Sequence, residues 1–249
     1  MRDIVYILRR DINPEELRYS LRSVEKNFSH GRVWFVCGQP KGFYPDKKID
    51  HFQAGMNKWS RVRSSLIEIV NNDEITEEFY LFNDDFFVLK RQLGEFRNFV
   101  NGTLNKRITD IERKTGNSSN YTRELYKLKR ILEAKNLDIM SFAVHMPILL
   151  NKSKLRMTLI SMELDQTSMF RSYYGNQHEI PYISHKDVKI YENVGLPSPD
   201  WDYCSTTEHS FADGEVGEYL RKMFDTPSRF ESEPVTEVHE LYTEEGDLL

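Results

Sequence analysis

Two adjacent carboxylates, Asp84 and Asp85, interrupt a densely apolar stretch at residues 77–90 (EEFYLFNDDFFVLK). Aromatic and β-branched residues at this density predict a buried strand near the centre of a sheet. Bare carboxylates are costly to bury and usually persist where a cation or a reacting group offsets the cost. Because neighbouring strand residues point to opposite faces, we expect the pair at the C-terminal end of the strand, where open α/β sheets bind ligands. The alternative is a polar strand end that caps a turn.

Two further residues with chemical potential, His145 and Arg171, also lie among apolar neighbours. His145 belongs to the run MSFAVHMPILL at residues 140–150, in which Pro147 indicates a strand edge. A lone histidine in such a run is more often a hydrogen-bonded core residue than a catalyst. Arg171 lies in the run TSMFRSYY at residues 167–174. It could stack on a tyrosine at the surface, or be held in a pocket for a phosphate.

The elements that must position these residues follow a β-α-β order. Residues 3–8 and 33–37 predict two strands, and a helix between them starts at Pro14, with Glu15 and Glu16 in its first turn. A second helix over residues 57–70 then leads to a third strand at residues 79–82. This order predicts a parallel sheet with crossover helices. It is the layout of an α/β domain that binds nucleotide sugars, where acids hold a divalent cation against the diphosphate.

Residues 94–136 differ from this core because they are strongly charged and have helical spacing, which is interrupted at residues 116–119 (GNSS). We interpret them as a helical hairpin laid over one side of the sheet. A mobile lid over the donor site is the alternative. The predicted fold class is therefore α/β: a GT-A-like nucleotide-sugar-binding sheet with crossover helices and a helical hairpin insertion.

Composition limits the class of protein. Of 249 residues, 39% are hydrophobic and 29% charged, and no apolar run is long enough for a membrane span. Residues 231–249 form an acidic tail with seven acids and no Lys or Arg, and residues 1–230 are expected to form a single catalytic domain. The remaining charge of about +2 suits a phosphate-bearing substrate but is too weak for nucleic acid. With only two cysteines and no signal peptide, a cytoplasmic location is expected.

Four stretches are informative together: DIVY at residues 3–6, ELRYSLRSVEK at 16–26, FYLFNDDFF at 79–87 followed by HMP at 145–147 and by Arg171, and FDTPSRFE at 224–231. In this order they resemble the conserved regions of the Stealth family of sugar-phosphate transferases. That family covers bacterial capsule polymerases and the catalytic part of the lysosomal-enzyme N-acetylglucosamine phosphotransferase.

The resemblance implies transfer of a sugar-1-phosphate from a nucleotide sugar, expected to be a UDP-sugar, to an acceptor hydroxyl, expected on a glycan. Carried over by position, Asp84 and Asp85 would hold Mg²⁺ or Mn²⁺ on the diphosphate, or one of them would deprotonate the acceptor. His145 would act as general base or as a donor to the phosphoryl oxygens. Arg171 would place a fixed charge on the transferring phosphate.

The resemblance also implies a set of substrate-binding residues: Arg18, Arg22, Asn57, Lys58, Arg61 and Asn83. Arg18 and Arg22 could equally be solvated, since their helix has Leu17 and Leu21 for its core face. The start of the helix at residue 57 is in itself suited to an anion.

Two other functions remain open at this point. The first conserved region departs from the family pattern, with Ile7-Leu8-Arg9-Arg10-Asp11 after the strand, and a GT-A-type glycosyltransferase would use the same acids to transfer the sugar alone. A catalytically inactive binding protein, with the hairpin and the acidic tail as interaction surfaces, is the third candidate.

Overall fold

The computed structural model describes residues 1–9, 14–55, 57–93, 96–115 and 119–231. The strands are β1 (Asp3–Leu8), β2 (Val33–Cys37), β3 (Lys47–Ile49), β4 (Glu78–Phe82), β5 (Phe86–Val88), β6 (Asn98–Val100), β7 (Ile148–Asn151), β8 (Tyr182–Ser184), β9 (Lys189–Ile190) and β10 (Tyr203–Thr206). The helices are α1 (Pro14–Asn27), α2 (Lys58–Asn71), α3 (Leu104–Thr115), α4 (Asn120–Ala134), α5 (Lys152–Asp165), α6 (Phe170–Gln177), α7 (Glu208–Asp213) and α8 (Glu215–Met223). Within these ranges, no helix combines the length and the apolar content needed to cross a bilayer.

The central sheet has five strands in the order β3-β2-β1-β4-β7. Strands β1 to β4 are parallel, and β7 is antiparallel at the edge beside β4. Helix α1 connects the parallel neighbours β1 and β2, and α2 connects β3 at one edge to β4, which pairs with β1, so both helices are crossover connections between parallel strands. The predicted α/β fold class is confirmed, and the mainly parallel sheet is consistent with a GT-A-like arrangement.

Both faces of this sheet are buried, and side chains that alternate along each strand contribute to the two cores in turn. Tyr6 and Phe82 face a core that includes Leu17 of α1. Val5 and Leu81, their chain neighbours, face a second core built with α2 and α5. The sheet is therefore enclosed on both sides, and its strand ends are the accessible positions for polar chemistry.

The apolar run around Asp84 and Asp85 forms two strands rather than one. β4 ends at Phe82, the chain turns over residues 83–85, and β5 then leaves the central sheet to pair with β10. β10 in turn pairs with β9, which completes a three-stranded sheet in the order β5-β10-β9. The acid pair thus follows the C-terminal end of β4, between two sheets.

Helices α3 and α4 lie within the segment predicted as a hairpin. Leu104 and Ile108 of α3 and Leu125 of α4 share a core with Met162 of α5 and Tyr173 of α6. The hairpin therefore packs on the helices of one side of the sheet. Residues 116–118 and the acidic tail beyond residue 231 lie outside the described residues, and the alternative of a mobile lid stays a prediction.

Glu231, the last described residue, ties the end of the domain to α1. Its carboxylate is 1% exposed and accepts hydrogen bonds from Arg18 (2.6 Å), from Arg22 (2.8 Å) and from the backbone and hydroxyl of Ser228 (both 2.9 Å). Burial alone would raise the pKa of Glu231. The hydrogen bonds from Arg22, Ser228 and Arg18 outweigh it and lower the pKa to about 2.

Replacing Glu231 with alanine should lower the free energy of unfolding by about 3 kcal/mol, because Arg22, whose side chain is 10% exposed, is left without a carboxylate. The pKa of Glu231 is depressed from 4.5 to about 2, so its contribution is present above pH 4.5 and is lost as the pH falls towards 2. Urea unfolding of both proteins at pH 7 and at pH 3 measures this.

The matched control is Glu15→Gln, which removes an exposed partner of Arg18 at 3.1 Å and should cost less than about 1 kcal/mol. Equal losses in the two variants at pH 7 would contradict a stabilising role for the buried carboxylate.

Candidate active site

Asp84 and Asp85 occupy the turn between β4 and β5. The amide of Phe86 donates to the carbonyl of Asn83 (3.2 Å) and closes the turn. The side chain of Asn83 is exposed, whereas both aspartates are partly buried. The turn therefore presents two acids and an exposed amide at the C-terminal edge of the central sheet, the usual ligand side of such sheets.

The neighbouring sheet holds Asp85 in place. The ammonium of Lys189 on β9 donates to Oδ2 of Asp85 at 2.6 Å, and the hydroxyl of Ser205 on β10 donates to the same oxygen at 3.2 Å. The other oxygen, Oδ1, is buried and has no hydrogen-bond partner in the part of the chain that the structure describes. One oxygen of Asp85 is thus neutralised, and the other retains unused acceptor capacity.

A third carboxylate, that of Glu16 in the first turn of α1, lies near the pair. It is 8% exposed and accepts a hydrogen bond from the hydroxyl of Thr206 (2.6 Å). Burial raises the pKa of Glu16 to about 7; the charges of Asp85 and Asp84 add to the shift, and Thr206 and Lys189 oppose it. Burial and the charge of Asp85 likewise raise the pKa of Asp84 to about 6. Glu16 and Asp84 therefore feel the charge of Asp85 and take up protons near neutral pH.

His145 forms a pair with Asp187. Its Nδ1 lies 2.9 Å from both carboxylate oxygens, and its backbone N–H donates to Oδ1 at 3.3 Å. Burial would raise the pKa of Asp187, but the hydrogen bond and the charge of His145 outweigh it and lower the pKa. In the neutral tautomer that carries the proton on Nδ1, that N–H donates to the carboxylate and Nε2 keeps its lone pair. The side chain of His145 is 28% exposed, so it is not the core histidine that the apolar run also suggested.

Arg171, at the start of α6, links the histidine segment to the acid turn. Its Nη1 donates to the carbonyl groups of Met146 (2.7 Å) and Val144 (3.3 Å), on either side of the histidine. Its guanidinium carbon lies 5.7 Å from the centre of the Phe86 ring. Burial lowers the pKa of Arg171 to about 10, and the charge of Asp85 opposes this shift. The group stays protonated at neutral pH, and it is not a surface arginine stacked on a tyrosine.

Tyr191 and Arg107 complete the surroundings of the histidine. The Tyr191 ring is perpendicular to that of His145, with centroids 6.3 Å apart, and it is 52% exposed. Burial and the charges of Asp187 and Asp85 raise the pKa of Tyr191, so its hydroxyl is within electrostatic reach of both acids. Arg107 of α3 helps to lower the pKa of Asp187, and its Nε is buried without a partner in the described ranges. The hairpin thus adds a positive charge to the site.

The start of α2 holds three of the residues predicted to bind the donor. Asn57 caps the helix by accepting two of its first backbone N–H groups (3.0 and 3.1 Å), and the ammonium of Lys58 lies 5.3 Å from the centre of the Trp59 ring. Arg61 donates to the carbonyl of Gly55 (3.3 Å). Asn57 and Lys58 line a cavity of about 380 Å³ bordered by α2, α4, α5 and α6. No hydrogen bond or ion pair among the described side chains joins these three residues to the acid turn, and their donor role stays a prediction.

Arg18 and Arg22 are both bound to a carboxylate of the same chain. Both donate to the buried carboxylate of Glu231, and Arg22 also donates to the carbonyl groups of Phe224 (3.0 Å) and Asp225 (3.2 Å). These bonds occupy both guanidinium groups at the end of the domain. These bonds do not show that either arginine binds the donor, nor that either is solvated. The donor role of Arg18 and Arg22 therefore stays a prediction.

Sequence reasoning did not identify Glu16, Asp187, Lys189 or Tyr191 as site residues. The sequence could have grouped the last three, because residues 187–191 have the pattern of a short strand. Alternation along such a strand places residues 187, 189 and 191 on one face. For Glu16 no local signal exists. An acid in a first helical turn is usual, and only the fold brings it to the acid turn.

The acid turn can be tested for its fit to a divalent cation. Nowhere in the described ranges do three or more His, Cys, Asp or Glu side chains group as metal ligands. Mg²⁺ and Mn²⁺ in nucleotide-binding sites, however, commonly take one or two carboxylates and complete their coordination with phosphate oxygens. The hard oxygens of Asp84 and Asp85, with the unpartnered Oδ1 of Asp85, fit such a site. Lys189 would share Asp85 with the ion.

Comparisons with known proteins concern the fold. No family model and no curated protein matches the chain. Among solved structures, the glycosyltransferase GlyE of Streptococcus pneumoniae TIGR4 is similar at 11% identity with a TM-score of 0.38, over 74% of this chain and 45% of that chain. Mouse xyloside xylosyltransferase 1 is similar at 8% identity with a TM-score of 0.37, over 92% of this chain and 95% of that one. The chain thus spans less than half of GlyE, and likenesses this weak carry no statement about activity.

Glu16→Gln should make stability less dependent on pH. The pKa of Glu16 is raised from 4.5 to about 7, so its contribution to stability is present below pH 4.5 and lost as the pH rises through 7. At pH 8 the glutamine variant should be more stable than the wild type by about 2 kcal/mol, and near pH 4.5 the difference should vanish. Urea unfolding at both pH values in EDTA measures it.

Glu15→Gln, which changes the exposed neighbour of Glu16, serves as the control and should leave the pH profile as in the wild type. If Glu16→Gln shows the same profile as this control, Glu16 does not belong to the desolvated group.

Proposed function

We propose that the protein transfers a sugar-1-phosphate from a nucleotide sugar, with a UDP-sugar as the expected donor, to a hydroxyl of a glycan acceptor. It would be a hexose-1-phosphate transferase of the Stealth type, as the sequence motifs imply. One observation carries the proposal: Arg171 links the segment of an Asp-oriented histidine to the Asp84–Asp85 turn, where Lys189 supplies a second cation. A base and fixed positive charges around one point are what attack at phosphorus requires.

In this proposal His145 is the general base. Asp187 accepts a hydrogen bond from Nδ1–H and fixes the tautomer, so Nε2 can take the proton of the acceptor hydroxyl. The acceptor oxygen forms a bond to the phosphorus that carries the sugar. The bond from that phosphorus to the bridging oxygen breaks, and the nucleoside monophosphate leaves with the electron pair. The acceptor proton ends on Nε2 of His145.

Arg171 and Lys189 supply the positive charge for this step. Phosphoryl transfer depends mainly on positioning and on neutralising the charge of the phosphoryl oxygens. Arg171 is already oriented by the carbonyl groups of Val144 and Met146, and it stays charged at neutral pH. Lys189 lies at the acid turn itself.

Asp84 and Asp85 would hold a Mg²⁺ or Mn²⁺ ion, which would neutralise the diphosphate when bound. Asn83, exposed beside them, is suited to hydrogen-bond the donor. The cavity lined by Asn57 and Lys58 is a candidate for a further part of the donor.

The released nucleotide tests the reaction. With a panel of UDP-sugars, Mn²⁺ and a glycan acceptor, we expect UMP as the product, because the bond from the sugar-bearing phosphorus to the bridging oxygen is the one that breaks. Release of UDP would instead identify glycosyl transfer. His145→Ala should reduce UMP release about 100-fold or more, because the base is lost. His209→Ala, at a side chain that is 68% exposed on α7, should leave the rate unchanged.

Asp187→Asn should lower kcat by about 100-fold while the donor KM changes little. The amide no longer holds the Nδ1–H tautomer, although the imidazole itself is kept. Steady-state kinetics and a thermal unfolding curve of the same preparation separate this effect from misfolding. A folded variant with wild-type kcat would remove Asp187 from the mechanism and leave the role of His145 to be tested by the alanine variant.

A further inference from the structure

The contact between Lys189 and Asp85 is an ion pair at the position where the divalent cation is expected. Nζ of Lys189 lies 2.6 Å from Oδ2 of Asp85, and the two side chains are 13% and 17% exposed. Ser205 donates to the same oxygen, and the backbone N–H of Thr206 donates to the carbonyl of Asp85 at 3.3 Å. Lys189 is thus fixed on the carboxylate by sheet geometry and has limited access to water.

The surrounding charges suggest that this ion pair changes when a metal ion binds to the turn. Glu16, Asp84 and Asp85 bring up to three negative charges to the turn, and Lys189 is the cation in direct contact with one of them. A metal ion that takes both carboxylate oxygens of Asp85 must displace the ammonium from Oδ2 or share that oxygen with it. A displaced ammonium that is largely buried needs a new anionic partner, because an unpaired charge in such a place is costly.

We propose that Lys189 competes with the divalent cation for Asp85 and passes to the donor phosphate when the cation binds. This inference rests on the proposed metal-assisted function and adds that Lys189 couples the binding of the cation to the binding of the donor. Without a donor, the lysine neutralises Asp85 and keeps the affinity for the cation low. With a diphosphate present, the phosphate oxygens offer the ammonium a partner while the cation takes the carboxylate. Cation and donor therefore promote each other's binding, and the coupling is reciprocal.

Binding of Mn²⁺, followed by the electron paramagnetic resonance signal of the free ion, tests this without turnover. In the absence of nucleotide, Lys189→Met should bind Mn²⁺ about tenfold more tightly than the wild type, within the usual range of coupling between sites. Addition of UDP should tighten Mn²⁺ binding in the wild type by about tenfold or more, and by a smaller factor in the variant. Lys189→Gln, which keeps a hydrogen-bond donor for Asp85, is the second neutral variant if methionine prevents folding.

Lys186→Met is the matched control, since Lys186 is exposed three residues earlier, and its Mn²⁺ affinity should equal that of the wild type. Equal or weaker Mn²⁺ binding by the neutral Lys189 variants would overturn the competition and leave the metal site in place. If neither the wild type nor the variants bind Mn²⁺ with UDP, the metal-assisted part of the proposed function fails and the inference fails with it. The choice between UMP and UDP release is measured separately and does not affect either result.

Discussion

The site depends on one constraint, the cost of placing Glu16, Asp84 and Asp85 close together and partly out of water. Such a cluster would repel itself if all three acids were fully charged. The fold offsets this in two ways: Lys189 pairs with Asp85, and protonation of the other two becomes easier, as their raised pKa values show. Carboxyl groups with pKa values raised in this way are expected where a cation or a reacting group is to bind.

The arrangement depends on the register of a small sheet. Ser205 on β10 is the partner of both Phe86 on β5 and Lys189 on β9, so the three lie in one row across the strands. This row follows directly after Asp85, which places the hydroxyl and the ammonium at its carboxylate. Since side chains alternate with a period of two, a shift of one residue in β9 would turn Lys189 away from the acid.

The sequence predicts the parts of this architecture that depend on local pattern. The strands and helices around β1, α1, β2, α2 and β4, and the acid pair after β4, follow from apolar periodicity and from the density of aromatic residues. The partners of the site residues do not follow, because Glu16, Asp187 and Lys189 reach their positions through contacts between elements far apart in the chain. Local patterns also do not show that the carboxylate of Glu231, far along the chain, holds Arg22.

Two cations of the site, Arg171 and Lys189, are held by different partners, and this gives them different chemistry. Arg171 donates to backbone carbonyl groups, which are neutral, so its positive charge is oriented but not cancelled. Lys189 donates to a carboxylate, so its charge is largely cancelled until that carboxylate finds another cation. A guanidinium, with a pKa that is still about 10 after burial, suits the permanent role. A lysine on a flexible stem suits the conditional role, because its ammonium can move between two oxygen partners without rearranging the backbone.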